Sequence, residues 1–174
     1  NAFFWLEESR VVNVCFAATE PTVGLELRVD ESARKIYMSD TGLLISHSFS
    51  EAKIRAEELY RKLMHDKIEI NKGMLVENIV AQMLRARGHK LYFFSSYSKT
   101  DADDRIEIDF LIPKPVISNR HNIHPIEVKS SSRYTLTSLN KFVAKYANAI
   151  VLHSSDLKVE GGKLFLPLYM AELL

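Results

Sequence analysis

A single cysteine, at position 15, leaves this chain of 174 residues without an internal disulfide. A reducing compartment therefore suits it, and its fold must rest on packing alone. Cys15 lies in an apolar run, residues 11–18, and is expected in the core and not in catalysis. The six glycines are scattered, and no Gly-x-x-x-x-Gly-Lys-Ser/Thr loop occurs, so no ATP site is assigned to this chain. No apolar run approaches the ~20 residues that span a bilayer. Residues 1–10 are amphipathic and carry Glu7 and Glu8, unlike a secretory leader. No membrane partner is expected, and a cytoplasmic location is. An initiator methionine is missing and the chain opens within a helical pattern, which suggests a fragment of something longer. Repeats and low-complexity tracts are absent.

Neither sign of charge predominates: the net charge is +1. Its distribution is more telling. Five acids and one arginine fall between Asp101 and Asp109, whereas six Lys/Arg and one acid, Glu127, fall between Lys114 and Lys145. A basic stretch beside an acidic pocket suits a metal site that meets a polyanion, and it equally suits a solvated loop and helix face. With 47% hydrophobic and 26% charged residues, the composition is that of a globular protein. The length allows one core, or one core plus a small module.

Periodicity divides the chain into parts. Residues 1–50 read as a winged-helix-like or small β module, with a helix end over 3–9 and strands near 11–17, 25–29 and 35–38. A turn at Ser39-Asp40-Thr41-Gly42 follows. Residues 51–70 read as a charged helical connector with Ile54, Leu59, Tyr60 and Leu63 on one stripe. In residues 71–174 a helix is predicted from Asn71 or Gly73 to Gly88, with Leu75, Ile79, Val80, Met83 and Ala86 as its apolar face and Glu77 at the margin. Strands are expected over 90–95, 105–112, 123–129, 149–153 and 164–168. A helix is expected over 135–147 and a turn at Gly161-Gly162. This order predicts an α/β (α+β) fold with a mixed central sheet flanked by helices.

The chemistry gathers at Glu77, Asp109 and Glu127-Val128-Lys129. Alternation sets Asp109, Glu127 and Lys129 on the face opposite Ile108, Phe110, Ile126 and Val128. A lone acid inside the apolar run 108–112 is costly to bury without a partner. Phosphodiester hydrolysis needs a nucleophile and relief of charge on the phosphoryl oxygens, and Mg²⁺ (or Mn²⁺) supplies both through oxygen ligands. Asp109 and Glu127 are the candidate ligands, with the Val128 carbonyl as a third. Lys129 would orient water or stabilise developing charge. Glu77 would act from the helix, and Glu107 is a spare acid. Taken singly, Glu-x-Lys is a common surface ladder and Glu77 an ordinary helix acid.

The ordered set, helix Glu77, strand Asp109, strand Glu127-x-Lys129, resembles the PD-(D/E)XK nuclease superfamily, with a restriction-endonuclease-like core. The leading Pro of that motif is absent, since Ile108 precedes Asp109. A wider set looks like one known arrangement: residues 37–44 (Tyr-Met-Ser-Asp-Thr-Gly-Leu-Leu), Gly73-x-x-x-Glu77-Asn78-x-Val80, Glu107-Ile108-Asp109-Phe110, Pro125-Ile126-Glu127-Val128-Lys129 and Leu166-Pro167-Leu168-Tyr169-Met170. It resembles the C-terminal domain of unknown function of predicted prokaryotic AAA+ superfamily ATPases, and residues 6–12 resemble that family's winged-helix exit. The resemblance implies a nuclease-like site, DNA as partner, and an N-terminal ATPase domain of the same protein outside this chain. The oligomeric state is left open.

Other candidates carry less. His121-Asn122-Ile123-His124 lacks a third ligand at metal spacing. Ser130-Ser131-Ser132 has no neighbouring His-Asp pair. Ser130 and Ser131, with Arg133, Lys141 and Lys145, are candidates for phosphate contact. Tyr92, Phe93, Phe94 and Tyr97 could stack on bases, but a strand run of this kind suits a sheet core. Two readings therefore stand: a metal-dependent deoxyribonuclease, and an inactive nuclease-like fold that docks DNA or protein for an ATPase.

Overall fold

A computed structural model describes residues 2–22, 24–48, 57, 58, 61, 71–96, 105–113, 123–146 and 148–174. The connector expected over 51–70 lies almost wholly outside the described residues, as do Tyr97, Asp101, Asp103, Asp104 and residues 114–122 with His121.

Helix α1 (Ala2–Glu8) leads into β1 (Val12–Ala18), a short 3₁₀ turn (Leu25–Leu27) and the long strand β2 (Val29–Met38). Helix α2 (Thr41–Ser48) follows, then α3 (Lys72–Ala86), β3 (Leu91–Ser96), β4 (Ile106–Pro113), β5 (Ile123–Val128) and α4 (Thr137–Lys145). The chain closes with β6 (Ala149–His153), β7 (Lys158–Glu160), β8 (Lys163–Pro167) and a 3₁₀ segment, Leu168–Leu173. Among the described residues eight strands form one mixed sheet in the order β2-β1-β3-β4-β5-β6-β8-β7. Among the described residues no helix is long and apolar enough to cross a membrane.

The strands of residues 1–50 do not form a sheet of their own. β1 pairs antiparallel with β2 on one side and parallel with β3 on the other, Cys15 opposite Leu91 and Ala18 opposite Phe94. Cys15 and Ala17 join the same core as α3, and Ala18 joins the core beneath α4, so burial of β1 against the later strands decides the pairing. The expected strand near 25–29 is a 3₁₀ turn, and residues 29–38 are one continuous strand. β7 has all three residues exposed, leaving no apolar alternation to mark it.

Each face of the sheet carries a core. Val80, Ala81 and Leu84 of α3 cover one face, against Phe93, Phe110, Ile126 and Leu152. Leu139 and Phe142 of α4 cover the other, against Phe94, Ile108, Leu111 and Val151. The buried side of α3 is thus centred on Asn78, Val80, Ala81 and Leu84, while Ala86, expected on its apolar face, is exposed. Asn78 is buried because it is a clasp. Its Oδ1 accepts the Met38 N–H at 2.8 Å, and its Nδ2 donates to Met38 O at 3.1 Å. This fixes the end of β2 to α3 with the Met38 peptide satisfied on both sides.

Candidate functional site

Asp109 sits at a break in strand regularity. Between Tyr92 and Phe94 on β3 there is one residue, whereas their partners on β4, Leu111 and Ile108, enclose two. β4 thus holds an extra residue, a bulge at Asp109–Phe110. Ile108 packs under α4 while Phe110 packs under α3, so the strict alternation that put both on one face does not hold. The β4/β5 ladder runs only over Phe110–Pro113 and Ile123–Ile126. Beyond it, Asp109 Oδ2 accepts the Val128 N–H at 2.8 Å.

Around this opening the charged side chains converge. Lys129, just past β5, is anchored by its N–H on Leu152 O and donates from Nζ to Glu127 Oε1 at 2.7 Å. Glu77, on the second turn of α3, accepts at Oε1 from Lys35 Nζ (3.2 Å) and from the Tyr37 hydroxyl. Lys35 Nζ also lies 3.7 Å from Glu107 Oε1 and 3.9 Å from Asp109 Oδ1. Arg105 reaches Glu107 at the rim, 3.5 Å away. Glu77, Asp109, Glu127 and Lys129 therefore stand in one neighbourhood. Lys35 and Tyr37 complete it and were not anticipated. They come from β2, about forty residues before α3; Tyr37 heads the 37–44 motif without a site role there, and nothing in a charged, half-exposed stretch marks Lys35.

The electrostatics are unbalanced. Glu77, Asp109 and Glu127 face Lys35 and Lys129, while Glu107 is matched by Arg105 at the rim, so one negative charge exceeds the positive ones. Burial, then Glu127 and Glu77, push the Asp109 carboxyl up to about 7, against the Val128 N–H and Lys35. Burial raises Glu127 as well, opposed by Lys129 and Lys35. Burial alone would lower Lys35, but Glu77, Asp109 and Glu107 outweigh it and hold the ammonium above its usual range. Glu127 is 8% exposed, and its Oε2 is buried with no hydrogen-bond partner among the described residues. Such an oxygen is expensive to leave unsatisfied.

Among the described residues no three or more His, Cys, Asp or Glu side chains are disposed as a metal cage. The donors at hand are two carboxylates, Asp109 and Glu127, with the backbone of Val128, the last residue of β5. That set fits an ion that keeps several waters, as Mg²⁺ does. Cys15, close to the cluster, is buried and its thiol is pushed far up, so it is a core residue.

The phosphate-contact candidates do not assemble into one patch. Ser130 Oγ lies close to Gly73 at the start of α3, 3.9 Å from where a Cβ would stand. Ser131 Oγ accepts the Arg133 N–H at 3.2 Å. Lys141 and Lys145 belong to α4, across the sheet from α3, and Lys145 lies over the Tyr146 ring at 5.3 Å. Tyr92, Phe93 and Phe94 are buried in the sheet.

Residues 72–171 match a family described as a domain of unknown function, DUF4143. No curated protein and no solved structure matches the chain.

Proposed function

From the chain's membership of the DUF4143 family, a domain of unknown function, we propose that it is the nuclease-like C-terminal part of an AAA+ superfamily ATPase, with a restriction-endonuclease-like core that hydrolyses DNA phosphodiesters with Mg²⁺ or Mn²⁺. The observation that carries this reading is the Asp109–Glu127 pair: a half-buried and a buried carboxylate, an excess negative charge, and a Glu127 oxygen without a partner among the described residues. Such a pair is relieved by a proton or by a divalent cation. Asp109, Glu127 and the Val128 carbonyl would hold the ion. When bound, it would supply Lewis-acid neutralisation of phosphoryl oxygens.

The chain's own residues do the rest. Glu127 Oε1 fixes Lys129 Nζ, which holds a proton at the mouth of the β4/β5 opening and faces developing negative charge on substrate. Glu77, held by Tyr37 and Lys35, orients Lys35 and is not itself a ligand in this arrangement. The test is plasmid cleavage with Mg²⁺ by the wild type and by Glu127→Gln. Cleavage by the wild type alone is expected, and equal metal-dependent cleavage by both would overturn the reading.

A second reading, an inactive fold that docks DNA or the ATPase, draws on the ion pairs already made by Lys35 and Lys129. It expects no cleavage but salt-sensitive DNA binding, each phosphate contact adding ~0.9 to the slope.

A further inference from the structure

Three carboxylates meet a single ammonium at Lys35. Its three N–H donors have Glu77, Glu107 and Asp109 within 3.2, 3.7 and 3.9 Å. The Lys35 backbone lies on β2, the outermost strand, with β1 and β3 between it and β4 in the sheet. The side chain therefore reaches across the sheet to the acids, passing over the Phe93 ring at 5.3 Å. Only the Glu77 contact is of hydrogen-bond length. The side chain is 26% exposed and lines a cavity of about 560 Å³ with Tyr37, Asn71, Gly73, Met74 and Glu77. An ion held by Asp109 and Glu127 would stand beside this ammonium, and two like charges so close repel strongly away from bulk water.

We propose that Lys35 is the resident cation of the acid cluster, and that a divalent ion enters by exchange with it, the freed side chain turning into the adjoining cavity. Lys35 would then set the affinity of the ion site, and the metal-free cluster would keep its charge partly balanced. This rests on the metal reading given above.

The test is binding of Mn²⁺ alone to the full chain, followed by paramagnetic resonance of the free ion. Lys35→Met is expected to bind roughly ten-fold more tightly than wild type, because a unit charge beside the ion is gone. Lys35→Arg keeps the charge and is expected to bind no more tightly than wild type. Equal binding by wild type and Lys35→Met overturns the role of Lys35 and leaves the metal site standing. No binding by either removes both.

A second measurement uses the wild type only, so that a misfolded variant does not decide the matter. Acetylation of Lys35 by an amine-reactive reagent, read by mass spectrometry, should quicken several-fold on adding Mn²⁺. An unchanged rate, with Mn²⁺ shown to bind, overturns the exchange.

Discussion

Asp109 Oδ2 accepts the backbone N–H of Val128 across the gap where β4 and β5 part. The residue is thus a structural acceptor as well as a charge. Asn at this position keeps an acceptor oxygen, whereas Ala leaves a strand N–H unsatisfied. Asp109→Ala is expected to lose ~1–3 kcal/mol of stability, and Asp109→Asn much less. Urea denaturation of both variants distinguishes them, and equal losses would show that the hydrogen bond is not what matters.

The raised Asp109 carboxyl gives a pH dependence with a definite sign. Its folded-state value is about 7, against an ordinary 3.8. Between these values the metal-free native protein holds a proton that the unfolded chain has released. This contribution is complete below the unfolded value and is lost as pH rises through about 7. Stability in chelator should therefore rise as pH falls from about 7 toward 5, with a slope of up to ~1.4 kcal/mol per pH unit from this one group. Asp109→Asn should remove that component. Urea midpoints of both proteins across the range check it, and parallel pH profiles would refute it.

Asn78 ties α3 to the end of β2 through both polar groups of the Met38 peptide. Its Nδ2 also lies 3.3 Å from Thr41 Oγ1. Asn78→Ala removes the Met38 N–H's acceptor and one of two donors to its carbonyl, Gln82 Nε2 remaining at 3.3 Å, and is expected to destabilise by ~1–2 kcal/mol. Because β2 carries Lys35 and Tyr37, the same change should also disturb the acid cluster. Thermal unfolding measures the first effect, and a stability equal to wild type would show the clasp to be idle.

Lys129 is held by Glu127 and is placed to meet substrate charge, not to hold the ion. Lys129→Met should leave Mn²⁺ binding within a few-fold of wild type. DNA cleavage should fall by roughly 10²–10³. Single-turnover cleavage beside a binding titration separates the two, and unimpaired cleavage would remove Lys129 from the proposed reaction.

Much of the site was legible because its parts sit on strongly patterned segments. Asn71 caps α3 by accepting the Met74 N–H at 3.1 Å, and Gly88 ends it with φ near 90°, as their residue types suggest. An acid between Ile108 and Phe110 likewise stands out in a buried strand. The bulge at Asp109 was not legible, since one extra residue in β4 is visible only against β3. Lys35 and Tyr37 were hidden for another reason. β2 alternates weakly and carries charge along much of its length, as an edge strand does, and its nearness to Glu77 depends on long-range packing of β1 against β3. That same parallel pairing joins two regions that hydropathy alone separates.

The most direct measurement is calorimetric titration of Mn²⁺ into the wild type and into Asp109→Asn, with folding of both confirmed by circular dichroism. A saturable binding heat for the wild type and none for the variant is the expected result. Identical heats in the two proteins, or no heat in the wild type, would contradict it.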